Sequence, residues 1–325
     1  MKLPRRRFLH LAAGASALPL VSRPARAQAY PSRPVRLMVG FAAGGPADIV
    51  ARLIGQWLSE RLGQPFVIEN RPGAGTNIAT EAVVRAPPDG YTLLQVGFPN
   101  AINATLYEKL NFEFIRDIVP VASIMRSPGV MEVYPSFPAK TVPEFITYAK
   151  TNPGKINVAS VGQGSSSHLY TELFKMMAGV DLVQVHYRGS GPALPDLIAG
   201  QVQAMFDALV SSIEHIKAGK LRALAVTTAT RLDVLPEVPT VGEFVPGYEA
   251  AGWQGIGAPL KTPPDIIERL NREVNAGLAD PKFKARLADL GASAFAGTPA
   301  DFRTHIAEET LKWGKVVRAA NLKAE

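Results

Sequence analysis

The chain has 325 residues, 47% hydrophobic and 19% charged, enough to build a large core and to exclude wholesale disorder. It contains no cysteine, which excludes disulfides, thiolate metal sites, a cysteine nucleophile and a lipid-anchored N-terminal cysteine. The net charge of +7 is local: Lys2, Arg5, Arg6, Arg7, Arg23 and Arg26 lie in the first 27 residues with no acid, leaving 29 cations against 28 acids elsewhere. A nucleic-acid partner is therefore not expected.

Residues 1–27 read as an export signal. A basic start precedes an apolar run from Phe8 to Val21, and Ala25-Arg26-Ala27 forms a small-x-small site that implies cleavage before Gln28. Arg5-Arg6-Arg7-Phe8-Leu9 resembles the twin-arginine export motif, with Pro4 and His10 as departures from it. The apolar run is interrupted by Pro19 and falls short of the roughly 20 residues needed to span a bilayer. The expectation is a soluble mature protein in the periplasm.

Strand and helix patterns then alternate. Val35–Val39 is a short apolar strand ending in a glycine-rich turn, and Ile49, Val50, Leu53, Ile54, Trp57, Leu58 and Leu62 recur at helical spacing. Pro46 suits the first helical position and Gly63 the left-handed stop. Phe66–Ile68 is a second strand, 77–86 a helix and Tyr91–Val96 a third strand, a βαβαβ order that predicts a parallel sheet.

The grammar repeats with a strand at Val130–Tyr134, a capping-box helix opening at Thr141 and a strand at Ile156–Ala159. A helix follows carrying Leu169, Leu173, Phe174 and Met177, then strands at Leu182–Val185, Val202–Phe206 and Leu221–Thr227. Two or three amphipathic helices follow Pro263. The fold class is α/β with two lobes.

Three strand-to-helix turns, 41–48, 160–168 and 187–192, are rich in glycine and small hydroxyls. Such a turn can hold an anion, because a helix N-terminus offers unpaired N–H groups and about half a positive charge. In open α/β sheets these turns gather where ligands bind. None matches a dinucleotide or P-loop motif, so no cofactor is expected and a carboxylate is the better ligand.

Asp48 either caps its helix or faces the ligand, and Asp207 either lines the cleft or caps the next segment. Phe41, Phe98 and Tyr187 follow strands, where each can cover a ligand's apolar body or pack in the core. His168 is placed to donate to a ligand or to satisfy a local acceptor. No G-x-S-x-G elbow surrounds Ser165, Ser166 or Ser167, and no H-x-x-x-H pair suggests zinc, so neither a catalytic residue nor a metal site is assigned.

Longer stretches resemble the Bug family, the extracytoplasmic solute receptors of tripartite tricarboxylate transporters. They are Gly40-Phe41-Ala42-Ala43-Gly44-Gly45-Pro46-Ala47-Asp48, Glu69-Asn70-Arg71-Pro72-Gly73-Ala74-Gly75, Asp89-Gly90-Tyr91-Thr92-Leu93-Leu94 and Gly162-Gln163-Gly164-Ser165-Ser166-Ser167-His168-Leu169. His186-Tyr187-Arg188-Gly189, Asp196-Leu197-Ile198-Ala199-Gly200-Gln201-Val202, Leu224-Ala225-Val226-Thr227, Val238-Pro239-Thr240 and Trp253-Gln254-Gly255 continue it. Ala47 stands where the family often has a hydroxyl residue, and Gly40 where proline is frequent.

The resemblance implies a type II periplasmic binding protein fold with an interlobe cleft, lobe 1 comprising 28–128 and 250–325 and lobe 2 comprising 129–249. It implies a hinge near 125–131 and 245–252, and a ligand carboxylate held by backbone N–H groups of the 41–48 and 160–168 turns. The expected ligand-binding residues are Phe41, Ala43, Gly44, Gly45, Asp48 and Phe98 from the first lobe. Gly162, Gly164, Ser165, Ser166, His168, Tyr187, Arg188 and Asp207 are those of the second. The expected function is capture of a small organic carboxylate by lobe closure and delivery to the membrane components of a tripartite transporter, by a monomer. A sensor docking on a membrane kinase, or a secreted serine hydrolase, are the alternatives. Phe98 and Tyr187 favour an apolar ligand body, and Arg188 alone offers a second anion clamp, which favours one carboxylate over three.

Overall fold

The computed structural model describes residues 30–324 except 42, 45 and 188, and only the backbone of Pro46; the segment read as an export signal lies outside the described residues. The first sheet is built on β1 (Val35–Val39), which pairs in parallel with β2 (Phe66–Asn70) and β3 (Thr92–Gly97). Between β1 and β2 runs α1 (Pro46–Leu62), whose Val50, Ala51, Ile54 and Leu58 are buried, the face its periodicity marks. Gly63 stops it with φ of 73°. After β2 come α2 (Asn77–Val84) and, directly following β3, α3 (Phe98–Leu106).

A short α4 (Phe114–Asp117) leads into β4 (Ile118–Val133), 16 residues long and the spine of the molecule. Its first half pairs antiparallel with β9 (Ala251–Pro259), and β9 in turn pairs antiparallel with β3. Its second half pairs antiparallel with β7 (Ala204–Ala208) on one side and β8 (Arg222–Val226) on the other. The change of partner falls between Pro128, opposite Ala251, and Gly129, opposite Ala208. The second sheet continues from β7 in parallel to β5 (Asn157–Ser160) and β6 (Val183–His186).

The helices of the second half are α5 (Val142–Thr151), α6 (Ser166–Ala178), α7 (Ser190–Ile198) and α8 (Leu209–Lys217). Thr141 caps α5 by accepting the Glu144 N–H, while Glu144 reaches past the cap to the N–H of Lys140. Three helices end the chain: α9 (Pro264–Ala279), α10 (Pro281–Asp289) and α11 (Pro299–Ala319), with the two-residue β10 (Ser293–Ala294) against β4.

Each half thus has a parallel core, as the βαβαβ order predicts, joined through antiparallel strands that the order does not reveal. Two findings correct the sequence reading. The strand placed at Val130–Tyr134 is the end of β4, whose earlier residues include the breakers Pro120 and Pro128 and whose pairing with β9 shifts register twice. The strand that Asp207 is read as ending runs one residue further, to Ala208.

Helix α11 ties the halves together. Trp313, fully buried, sits 4.9 Å from the ring of Phe98 in α3 and 5.8 Å from that of Tyr170 in α6. Phe98 and Tyr170 themselves meet edge to face at 5.9 Å.

Candidate functional site

A cavity of about 680 Å³ lies between the halves. Phe41, Ala43 and Ala47 line it from the turn before α1 and from α1 itself. Gln95, Val96 and Gly97 line it from β3, and Phe98, Pro99 and Asn100 from the start of α3. The crossing strands contribute Ser127, Gly252, Trp253 and Gln254; the second half contributes Val161, Gly164, Ser165 and Ser166. The N-termini of α1, α3 and α6 therefore converge on one space, and no lining side chain among the described residues is charged. Helix N-termini supply positive potential there without a formal charge.

The first turn is held by Asp48. Its buried carboxylate accepts Arg52 Nε at 2.8 Å, the Gly44 N–H at 2.9 Å and Asn70 Nδ2 at 3.0 Å. Arg52 chiefly, with Gly44 and Asn70, draws its pKa down to about 2 against the opposing effect of burial. Asn70 also donates to the Phe41 carbonyl at 3.0 Å. Asp48 thus serves the turn and does not line the cavity, and the Gly44 N–H is already engaged.

The second turn is knitted by its own side chains. Ser165 caps α6, donating to the Gly162 carbonyl at 2.6 Å and accepting the His168 N–H at 3.3 Å. Ser167 Oγ accepts the Val161 N–H at 2.8 Å, and His168 Nδ1 accepts the Gly164 N–H at 3.0 Å. His168 is therefore a buried acceptor inside the turn through Nδ1, and it is not among the residues that line the cavity. Burial, then the neighbouring His186 ring at 4.7 Å, lowers its pKa to about 4, so it is neutral. Gly164, with φ of 71° and Leu106 of α3 close by, needs the absence of a side chain. The Ser166 N–H has no acceptor among the described residues.

Phe98 both lines the cavity and packs on Trp313, so a place on the lining and a place in the core are not exclusive for that aromatic. Tyr187 donates to Asp196 Oδ2 at 2.8 Å in α7 and does not line the cavity; burial, then Asp196, pushes its pKa up to about 12. Asp207 is buried, accepts from Ser190 at 2.8 Å and Ser212 at 3.3 Å, and lies away from the lining. Gly162 shapes its turn without lining the cavity. Gly45 and Arg188 lie outside the described residues.

Sequence reasoning overlooked Gln95, Asn100, Ser127 and Trp253 as lining residues. Asn100 accepts the Gly97 N–H and donates to Thr80 and Thr76, so both its N–H donors are used. Trp253 donates through Nε1 to Glu309 at 3.2 Å, leaving its indole face for the cavity. Gln95 and Gln254 are linked amide to amide at 2.9 Å.

Among the described residues the serine–histidine side-chain hydrogen bond is Ser160 to His186 Nδ1 at 2.5 Å, and Ser160 is completely buried. No group of three or more metal-ligating side chains occurs among the described residues, and none of their helices is long and apolar enough to cross a membrane.

The family described as tripartite tricarboxylate transporter family receptor matches residues 50–322. Protein BugT of Bordetella pertussis is 36% identical over 93% of this chain and 94% of its own length. Among solved structures, Rpa4515 of R. palustris with adipate is 40% identical, covering 90% of this chain and 99% of that one, with a TM-score of 0.77. MatC of Rhodopseudomonas palustris with bound malate is 36% identical, covering 89% and 100%, with a TM-score of 0.74. The chain has the two-lobed fold of these solute-binding proteins and belongs to the tripartite tricarboxylate transporter receptor family.

Proposed function

We propose that this protein is a periplasmic receptor that captures a small organic carboxylate in the interlobe cavity and hands it to the membrane components of a tripartite transporter, without turning it over. The observation that carries the reading is the convergence of three helix N-termini on a cavity with no charged side chain among its described lining residues. The bound adipate and malate of the two relatives supply the ligand class. The carboxylate sits between the first turns of α1 and α6, where the N–H groups of Ala47 and Ser166 have no acceptor among the described residues.

Each hydrogen bond to the anion contributes about 1.5–3 kcal/mol. Three or four, less the cost of ordering, reach micromolar affinity near −8 kcal/mol. The lobes comprise 28–128 with 250–325, and 129–249, and closure turns on the crossing of β4 and the segment entering β9. Residues 1–27 direct export, and the receptor acts as a monomer.

A thermal-shift panel of mono-, di-, tri- and aromatic carboxylates, run on protein refolded free of carried-over ligand, tests this. A rise in Tm of several degrees with one carboxylate class supports it by mass action. No shift with any class, or release of a hydrolysed product, counts against it.

A further inference from the structure

We propose that Gln95 and Gln254 read the ligand's body, and that the ligand is a monocarboxylate bearing a neutral group that both donates and accepts, a carboxamide or a hydroxyl. This rests on the receptor reading above and narrows its ligand.

The geometry assigns both amides. Gln95 Nε2 lies 2.7 Å from the Ala47 carbonyl oxygen, which can only accept, so the atom there is the NH₂ and not the oxygen. Its second hydrogen goes to Gln254 Oε1 at 2.9 Å. Both donors of Gln95 are thereby used, and the orientation of Gln254 is fixed in turn. What remains is an acceptor, Gln95 Oε1, and a donor, Gln254 Nε2; neither has a partner among the described residues, and both residues line the cavity.

The backbone makes the pair rigid. Gln95 lies opposite Ile256 and Gln254 opposite Gly97, so the two are diagonal neighbours on one face of the β3–β9 ladder. Gln95 is only 7% exposed, held under α1 by Ala47.

A carboxamide complements this pair: its carbonyl accepts from Gln254 Nε2 while its N–H donates to Gln95 Oε1. A hydroxyl does both through one oxygen. A second carboxylate accepts from Gln254 but sets its charge against the Gln95 oxygen, with no charged side chain among the described lining residues to offset it. A site with buried polar groups rejects ligands that leave them unpaired.

The test is calorimetric titration of the whole protein with matched probes: terephthalate, 4-carbamoylbenzoate, 4-hydroxybenzoate and benzoate, and glutarate against glutaramate. The expected result is that a neutral-substituted monocarboxylate binds at least about tenfold tighter than its dicarboxylate partner and than the unsubstituted acid, the equivalent of one good hydrogen bond. Gln254→Met, which keeps length and volume but removes the donor and the acceptor that holds Gln95, is expected to abolish the preference, the affinities for each neutral-substituted acid and its unsubstituted partner falling to within about twofold of each other. Dicarboxylates binding as tightly or tighter, or a preference unchanged in Gln254→Met, overturns the assignment and leaves the receptor reading standing. Failure of every carboxylate to bind overturns both.

Discussion

Thr227 accepts the backbone N–H of Gly129 at 3.0 Å, across 98 residues of sequence, at the point where β4 changes partners. The same hydroxyl donates to the Ala250 carbonyl at 2.5 Å, and the Thr227 main chain bonds Gly129 and Ala250 as well. One buried side chain thus joins both segments that cross between the lobes. Gly129 admits no Cβ here, because it would meet Thr227 Oγ at 2.7 Å and Tyr170 at 3.0 Å.

Thr227→Val keeps the shape but strands a buried N–H and a buried carbonyl. The expected loss is about 3 kcal/mol, read by denaturant unfolding, with Thr227→Ser retaining most of the stability. A Val variant as stable as the parent would remove the staple from the crossing.

His168 must be neutral to accept the Gly164 N–H. Its folded pKa, about 4, lies below the ordinary value of 6.5, with Glu172, Lys175 and His186 as the charged or titratable groups acting on it. As pH falls, the unfolded chain takes the proton first. The contribution is complete above about pH 6.5 and is lost as pH falls towards about 4. His168→Asn, whose Oδ1 can replace Nδ1, is expected to keep ligand affinity and flatten this part of the stability–pH curve. His168→Leu is expected to lose about tenfold in affinity, and equal affinities in the two variants would place the imidazole's role elsewhere.

Glu132 and Asp207 share Ser212, whose hydroxyl lies 2.7 Å from one and 3.3 Å from the other. A hydroxyl has one hydrogen, so a carboxyl proton completes the set. Burial pushes Glu132, completely enclosed, well above the usual carboxylate range and Asp207 upward as well. With Glu132 raised, its contribution is complete below the unfolded value of about 4.5 and declines as pH rises above it. Glu132→Gln is expected to raise Tm at pH about 8 relative to the parent, the gap closing towards pH about 4.5. A gap that widens on acidification would reverse the assignment.

Gly164→Ala places a methyl group on a backbone with φ of 71° and within 3.1 Å of Leu106. The turn before α6 is expected to shift, weakening ligand binding about tenfold or more while far-UV circular dichroism stays unchanged. Undiminished affinity would separate this turn from the anion.

The first half of the fold is legible because its signals agree: an apolar run at Val35–Val39, Pro46 opening α1 and Gly63 closing it. The β4 spine is not, since Pro120, Pro128 and Gly129 read locally as breakers and are tolerated only through the shifts in pairing and the partner change. At the site, Phe41, Ala43, Phe98, Gly164, Ser165 and Ser166 were visible as turn or post-strand residues, and they do line the cavity. Gln95 and Gln254 carry no local signal, because their pairing spans 159 residues and depends on the antiparallel β3–β9 register. Asp48, His168, Tyr187 and Asp207 drew notice for chemistry that their own neighbours consume.

The most direct measurement is a crystal structure of the refolded protein with the carboxylate that stabilises it most. The expected result is one carboxylate group within hydrogen-bonding distance of backbone N–H groups at the starts of both α1 and α6, enclosed between the lobes. A carboxylate bound outside that cavity, or inside it without contact to either helix start, would contradict the account.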